Sequence, residues 1–302
     1  MSRRRIPIRI GSMLFLAVLT LGLLEAIGAR VLAYSWELGP TLPIVQSDAV
    51  AAVLSLAVLG LLVVVMRVEG VALTEIGLDL RLAMPALVTV ACYFLAVNVA
   101  GAAFAIGGGA PESIGYHWTV PLGEAVVIFL WMLVIAGLLE ELLFRGYIQT
   151  KCIAIIGDRS WIRIGTGVVL AGLLFSAYHI PRIVTDGAPG GMSSSEYLAL
   201  LAVNGVAFGL LYEWTHNLYI PILVHAAGNM PGTAGILFFS TAGWASWAFI
   251  GYQLVSIILV IAMILGYRRM ARRSDWMPVW TARYLTTDSR LRLSQSSRCD
   301  SN

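Results

Sequence analysis

The chain has 302 residues, 59% of them hydrophobic and 12% charged, with a mean hydropathy of +0.83. A water-soluble domain of this length would carry about twice that charge, so the composition excludes one. The net charge of +3 rests on nineteen arginines and one lysine, Lys151, and the three cysteines (Cys92, Cys152, Cys299) are too scattered for a disulfide framework or a zinc cluster.

Residues 1–10 are basic (Arg3, Arg4, Arg5, Arg9) and precede an apolar stretch at 11–24. A signal peptide has this outline. Glu25 follows, however, no clean small-x-small cleavage site appears and apolar character continues past Arg30, so a retained first helix is expected. A second span covers 49–66 and ends at Arg67; residues 69–82 mix acids with apolar side chains and read as an interfacial or loop segment. The third span is 83–106, closed by the glycine run 107–109, and the fourth is 121–150. A fifth span at 164–180 ends at His179, and 181–196, rich in turn formers, reads as a loop. The sixth span is 197–212, the seventh 218–239 with an interruption at Pro231 and Gly232, and the eighth 244–267, stopped by arginines. Several of these runs approach the roughly 20 residues that cross a bilayer.

The expected fold is therefore all-α: a polytopic membrane protein of about eight transmembrane helices with both termini cytoplasmic. In that orientation the inner segments hold eighteen Arg and Lys residues and the outer ones only Arg30 and Arg182, as the positive-inside rule requires. The expected organisation is a basic tail at 1–10, spans one to three at 11–120, a core of spans four to seven at 121–240, span eight at 241–273 and a cytoplasmic tail at 274–302. The bias to arginine, with abundant Ala, Val, Leu and Gly, is an associational pointer to a GC-rich prokaryotic genome and so to the plasma (inner) membrane. The bilayer is the expected surrounding, and nothing points to nucleic acid.

The fourth span carries the chemistry. Val126 to Leu139 holds no charge, and Glu140, Glu141 and Arg145 follow. Ionisable groups at such depth are costly and mark functional sites. Successive residues of an α-helix point about 100° apart, so Glu140 and Glu141 are not expected to face one target. Glu141 and Arg145 stand i,i+4 with the acid first, the order that favours an ion pair, which leaves Glu140 to face what the protein acts upon. His179 ends FSAYHI, with Phe175 one turn earlier on the same face, and His225 and Asn229 in HAAGN are again i,i+4. A carboxylate, two imidazoles and an amide supply a base, a proton relay and hydrogen-bond donors, the parts that water-mediated amide hydrolysis needs. Small residues around them (Gly172, Gly205, Gly209, Ala226, Ala227, Gly228) allow close helix packing. At about 1.5 Å per residue, His179 lies roughly 20 Å or more from the start of its span, whereas Glu140 and His225 fall in the cytoplasmic half.

EELLFR, FSAYH and HAAGN resemble the EExxxR, FxxxH and HxxxN/D motifs of the CPBP (Abi) family of intramembrane proteases, which contains CAAX-processing endopeptidases and bacteriocin-processing or self-immunity proteins. The resemblance covers about residues 123–229. It implies that Glu140 activates a water with the help of His179, that His225 and Asn229 bind the developing oxyanion, and that Glu141, Arg145 and Phe175 support them. The implied partner is a peptide or membrane-anchored protein substrate. No metal is expected; the alternative is zinc on Glu140, His179 and His225. Two further readings compete: a non-enzymatic immunity or scaffolding membrane protein of the same fold, and an ion-coupled transporter, which the lack of internal repeats disfavours.

Overall fold

The computed structural model describes residues 12–14, 16, 17, 20, 44–115, 120–157, 160–188, 191–230, 235–241 and 243–273. The expected first span lies largely outside them, and the polar tail at 274–302 entirely so. Among the described residues the regular structure is helical, with one isolated antiparallel bridge between Ile114 and Phe239. Among the described residues five helices are long and apolar enough to cross a membrane: Leu73–Gly107, Leu122–Ile156, Trp161–Val184, Ser194–Thr215 and Ser246–Ala271. By length and composition the described residues are thus those of a helical, multi-pass membrane protein.

The chain divides into two compact units, each discontinuous in sequence. The first comprises Met1–Glu75, Leu142–Leu210 and Val279–Asn302. Within it, helix α1 (Ile44–Val68) ends at Gly70, whose φ of 75° lets Gly70 and Val71 return their N–H groups to Arg67 and Met66, a Schellman closure. Helix α3 (Leu122–Ile156) contributes its second half here. Helix α4 (Trp161–Tyr178) begins at Ser160, whose side chain accepts from the Arg163 N–H. The turn at His179 is followed by a short helix, α5 (Ile180–Asp186), where turn-forming composition predicts a loop. Pro181 sits in its first turn, where a missing N–H costs nothing. Helix α6 (Ser194–Thr215) opens with a reciprocal cap: Ser193 N–H donates to the Glu196 carboxylate and Glu196 N–H to Ser193 Oγ. In this unit Gly172 of α4 meets Gly205 of α6 backbone to backbone, the close packing that the small residues predict.

The second unit comprises Ile76–Glu141 and Leu211–Pro278. It holds helix α2 (Ala83–Gly107), the first half of α3, helix α7 (Tyr219–Gly228) and helix α8 (Ser246–Arg273). Helix α2 packs against α7 and α8, and α7 packs against Met132–Glu140 of α3. Asn217 fixes the start of α7. Its Oδ1 accepts from the Tyr219 N–H, and its Nδ2–H donates to Leu82 O and to the Tyr267 hydroxyl.

The expected seventh span, 218–239, is not a full crossing. Helix α7 has ten residues, about 15 Å, or half a hydrocarbon core. It stops at Gly228, and residues 235–241 run without helix. Short apolar runs broken by Gly and Pro mimic a span in hydropathy while their backbone turns away.

Candidate active site

Within the second unit the site grows from one close approach. A Cβ on Gly137 would lie 2.8 Å from Ile222 O and 3.4 Å from the Ala226 Cβ. Glycine therefore lets α7 lie directly on α3, and one turn further along both helices His225 meets the two glutamates. His225 Nδ1–H donates to Glu141 Oε1 at 2.6 Å, and His225 Nε2 stands 3.9 Å from Glu140 Oε2. Glu141 is 0% exposed and His225 8%. A charge-assisted hydrogen bond this short in an apolar interior fixes the ring's orientation.

The two carboxylates address one imidazole, contrary to the expectation from an ideal α-helix. Over Met132–Glu140 and Leu142–Gln149 the backbone of α3 opens into π-type turns. Bonds of the i→i+5 kind place more residues in each turn, so the angle between neighbouring side chains closes below that of an α-helix. Glu140 Oε2 is buried and takes part in no hydrogen bond, while the side chain as a whole keeps 18% of its exposure. A carboxylate oxygen in that position is a base without a stabilising donor. Asn229 caps the C-terminus of α7, its N–H returning to His225 O at 3.0 Å, and it is exposed.

The other predicted residues belong to the first unit and form a group of their own. His179 ends α4, and its Nδ1–H donates to Phe175 O at 2.9 Å, which leaves Nε2 as the nitrogen with a lone pair. Its ring packs edge-on against Phe175 (4.8 Å) and Tyr178 (5.4 Å). Arg145 is buried. Its Nη2–H donates to Gly205 O, and its guanidinium lies over the rings of Phe175 (4.7 Å) and Phe208 (5.4 Å), a cation–π arrangement. Phe175 thus links the arginine and the histidine of this unit.

One buried polar cluster escaped the motif reading. The Glu69 carboxylate, at the end of α1, accepts from the Tyr147 hydroxyl at 2.9 Å and is ion-paired with Lys151 Nζ. Both charged side chains are 1% exposed. The signal in the sequence is Lys151 itself, a single lysine among nineteen arginines.

Among the described residues no three His, Cys, Asp or Glu side chains are grouped to hold a metal ion.

Residues 121–231 match the family described as type II CAAX prenyl endopeptidase Rce1-like. A stretch of 101 residues is 32% identical to the uncharacterized protein YpbD of Bacillus subtilis (strain 168). That stretch covers 33% of this chain and 39% of the relative. No solved structure matches the chain.

Proposed function

From the match of residues 121–231 to the Rce1-like family, we propose that the chain is an intramembrane endopeptidase of the CPBP kind that hydrolyses a peptide bond with a water activated by Glu140. The observation that carries this reading is the His225 ring, held by Glu141 at 2.6 Å and facing Glu140 at 3.9 Å.

Glu140 takes a proton from the attacking water as the oxygen adds to the scissile carbonyl, and later delivers it to the leaving amine. The charge that develops on the carbonyl oxygen is met by His225 Nε2–H and by the Asn229 side-chain amide. For Nε2 to donate while Nδ1–H is engaged by Glu141, the ring acts as an imidazolium, and the Glu141 carboxylate is the counter-charge that holds it so. The motif match assigns His179 an assisting role, and with Nδ1 committed to Phe175 O the nitrogen it has for that role is Nε2. Arg145 keeps Phe175 and the end of α4 in place. The substrate is a peptide or a membrane-anchored protein, and the reaction uses this chain's own groups.

The test is cleavage by purified protein in detergent, wild type beside Glu140→Gln, on a mixed peptide library read by mass spectrometry. We expect the variant to lose activity by about 10²–10⁴-fold, the range of a positioned general base. Full activity in Glu140→Gln rejects the mechanism.

A further inference from the structure

His179 ends α4, at the place where a helix holds its side chains least. Its own N–H returns to Ser176 O at 3.0 Å, and the last turn of a helix leaves carbonyls that no amide of that helix reaches. The imidazole answers a carbonyl of this turn, Nδ1–H donating to Phe175 O. One hydrogen bond fixes a point on the ring and leaves its plane free to turn.

The plane is held by other rings. Phe175 and Tyr178 meet the imidazole at 4.8 Å and 5.4 Å, tilted by 61° and 83°. Both are backed by one further ring, Phe144 of α3, at 5.1 Å and 89° for Phe175 and at 5.4 Å and 68° for Tyr178. Separations and tilts of this kind are those of favourable edge-to-face pairs. The contacts close a cycle in which Phe144 and His179 occupy opposite corners.

Of these rings Phe144 alone comes from a second helix, whereas Phe175 and Tyr178 belong to the end of α4 and move with it. Phe144 is 2% exposed, and Tyr178 and His179 are half-buried. The corner opposite the histidine is therefore the one set in the core. The next residue, Arg145, lies over the Phe175 ring, and Glu140 precedes Phe144 by four residues on the same helix. The helix that carries the base thus also carries the ring that backs the histidine.

We propose that Phe144 is a positioning residue: through Phe175 and Tyr178 it holds the His179 ring in the orientation and tautomer that keep a lone pair on Nε2. This rests on the endopeptidase reading, in which His179 assists the water, and adds to it the residue that makes His179 competent. With the clamp slack, the ring turns away from Phe175 O and the proton of the neutral imidazole can reside on Nε2. In that tautomer Nε2 is a donor and takes no proton. Only the fraction of molecules with the correct tautomer then reacts.

The experiment reads the ring and the reaction separately. Proton–nitrogen correlation spectra of the full chain in detergent, isotope-labelled at histidine and held at alkaline pH, report the tautomer of each imidazole; the His179 signal is the one missing from His179→Gln. Compared are the wild type, Phe144→Leu, which keeps apolar bulk and removes the ring, and Ile153→Ala. Ile153 also lies on α3 and packs on α4 at Gly167, so its truncation loosens the same pair of helices at another point. We expect His179 to carry its proton on Nδ1 in the wild type and in Ile153→Ala, and to populate both tautomers in Phe144→Leu. In steady-state cleavage of one peptide, Phe144→Leu should lower kcat about tenfold, the scale set by the loss of two aromatic pairs, with KM near wild type. An unchanged tautomer in Phe144→Leu, the same mixture in both variants, or a mixture accompanied by wild-type kcat each overturns the proposal. Absence of cleavage by the wild type rejects the endopeptidase reading and the positioning role with it, and the tautomers, read without substrate, show whether the clamp itself fails as well.

Discussion

At the scale of residues, the decisive arrangement is one imidazole between two carboxylates of unequal distance. The short contact to Glu141 orients His225, and His225 Nε2 stands 3.9 Å from Glu140 Oε2, beyond a direct hydrogen bond. Removing the Glu141 side chain should leave the ring free to turn. We expect Glu141→Ala to lower kcat/KM about 10²-fold or more, and Glu141→Gln to lose less because its amide oxygen still accepts from Nδ1–H; steady-state kinetics on a cleaved peptide checks the order. Asn229→Ala should cost about 10²–10³ in kcat with KM little changed, the pattern of a lost oxyanion donor. If the chain's own groups suffice, prior treatment with phenanthroline leaves the rate unchanged. A loss restored by zinc would instead assign a metal to Glu140 and His225. These residues were legible as motifs, because a carboxylate pair after fourteen uncharged residues has few structural uses. The Glu141–His225 contact was not legible, since spacing on an ideal α-helix turns Glu141 away from the target of Glu140.

At the scale of elements, α3 and α7 meet because Gly137 has no side chain. A larger residue there must displace Ile222 backbone, so Gly137→Val is expected to abolish cleavage while circular dichroism shows helix content unchanged. The connection between α6 and α7 carries a different kind of sensitivity. His216 stands in the left-handed region at φ 51°, and burial, with the charge of Arg268, pushes its imidazole down to about 4. A histidine lowered on folding is protonated in the unfolded chain first. Its contribution is intact above about pH 6.5 and is lost as pH falls from 6.5 toward 4. Thermal unfolding in detergent should therefore show the melting temperature falling over that window, and His216→Asn, which tolerates the same backbone conformation, should flatten the fall. Long apolar helices were read from hydropathy within a few residues, as for α2, where the expected 83–106 stands beside Ala83–Gly107. Span seven was misread because hydropathy weighs side chains only. The helix ends at Gly228, and beyond it the backbone of Ile236 and Phe238 is held by Asn98, a partner far away in sequence.

At the scale of the whole molecule, α1 lies outside the stretch matched by the family, yet its end is tied by Glu69 to Tyr147 and Lys151 of α3 within the first unit. A buried pair of this kind adds little net stability but is strongly destabilising when halved. Lys151→Met alone is expected to cost about 3–5 kcal/mol, and Glu69→Gln combined with Lys151→Met to recover most of it, since glutamine still accepts from the Tyr147 hydroxyl. Denaturation of the single and double variants in detergent separates the two. The division into two discontinuous units was not legible in sequence, because each is assembled from segments more than sixty residues apart.

Lys151 has one more consequence. It is the chain's sole side-chain amine, and the fold hides it at 1% exposure. An amine-directed acylating reagent added to the folded protein can modify that side chain only when the Glu69 contact opens, so the rate of modification is a clock for local opening of the first unit. The protein comes with a built-in, single-site reporter of its own loosening, readable as one mass increment on one peptide.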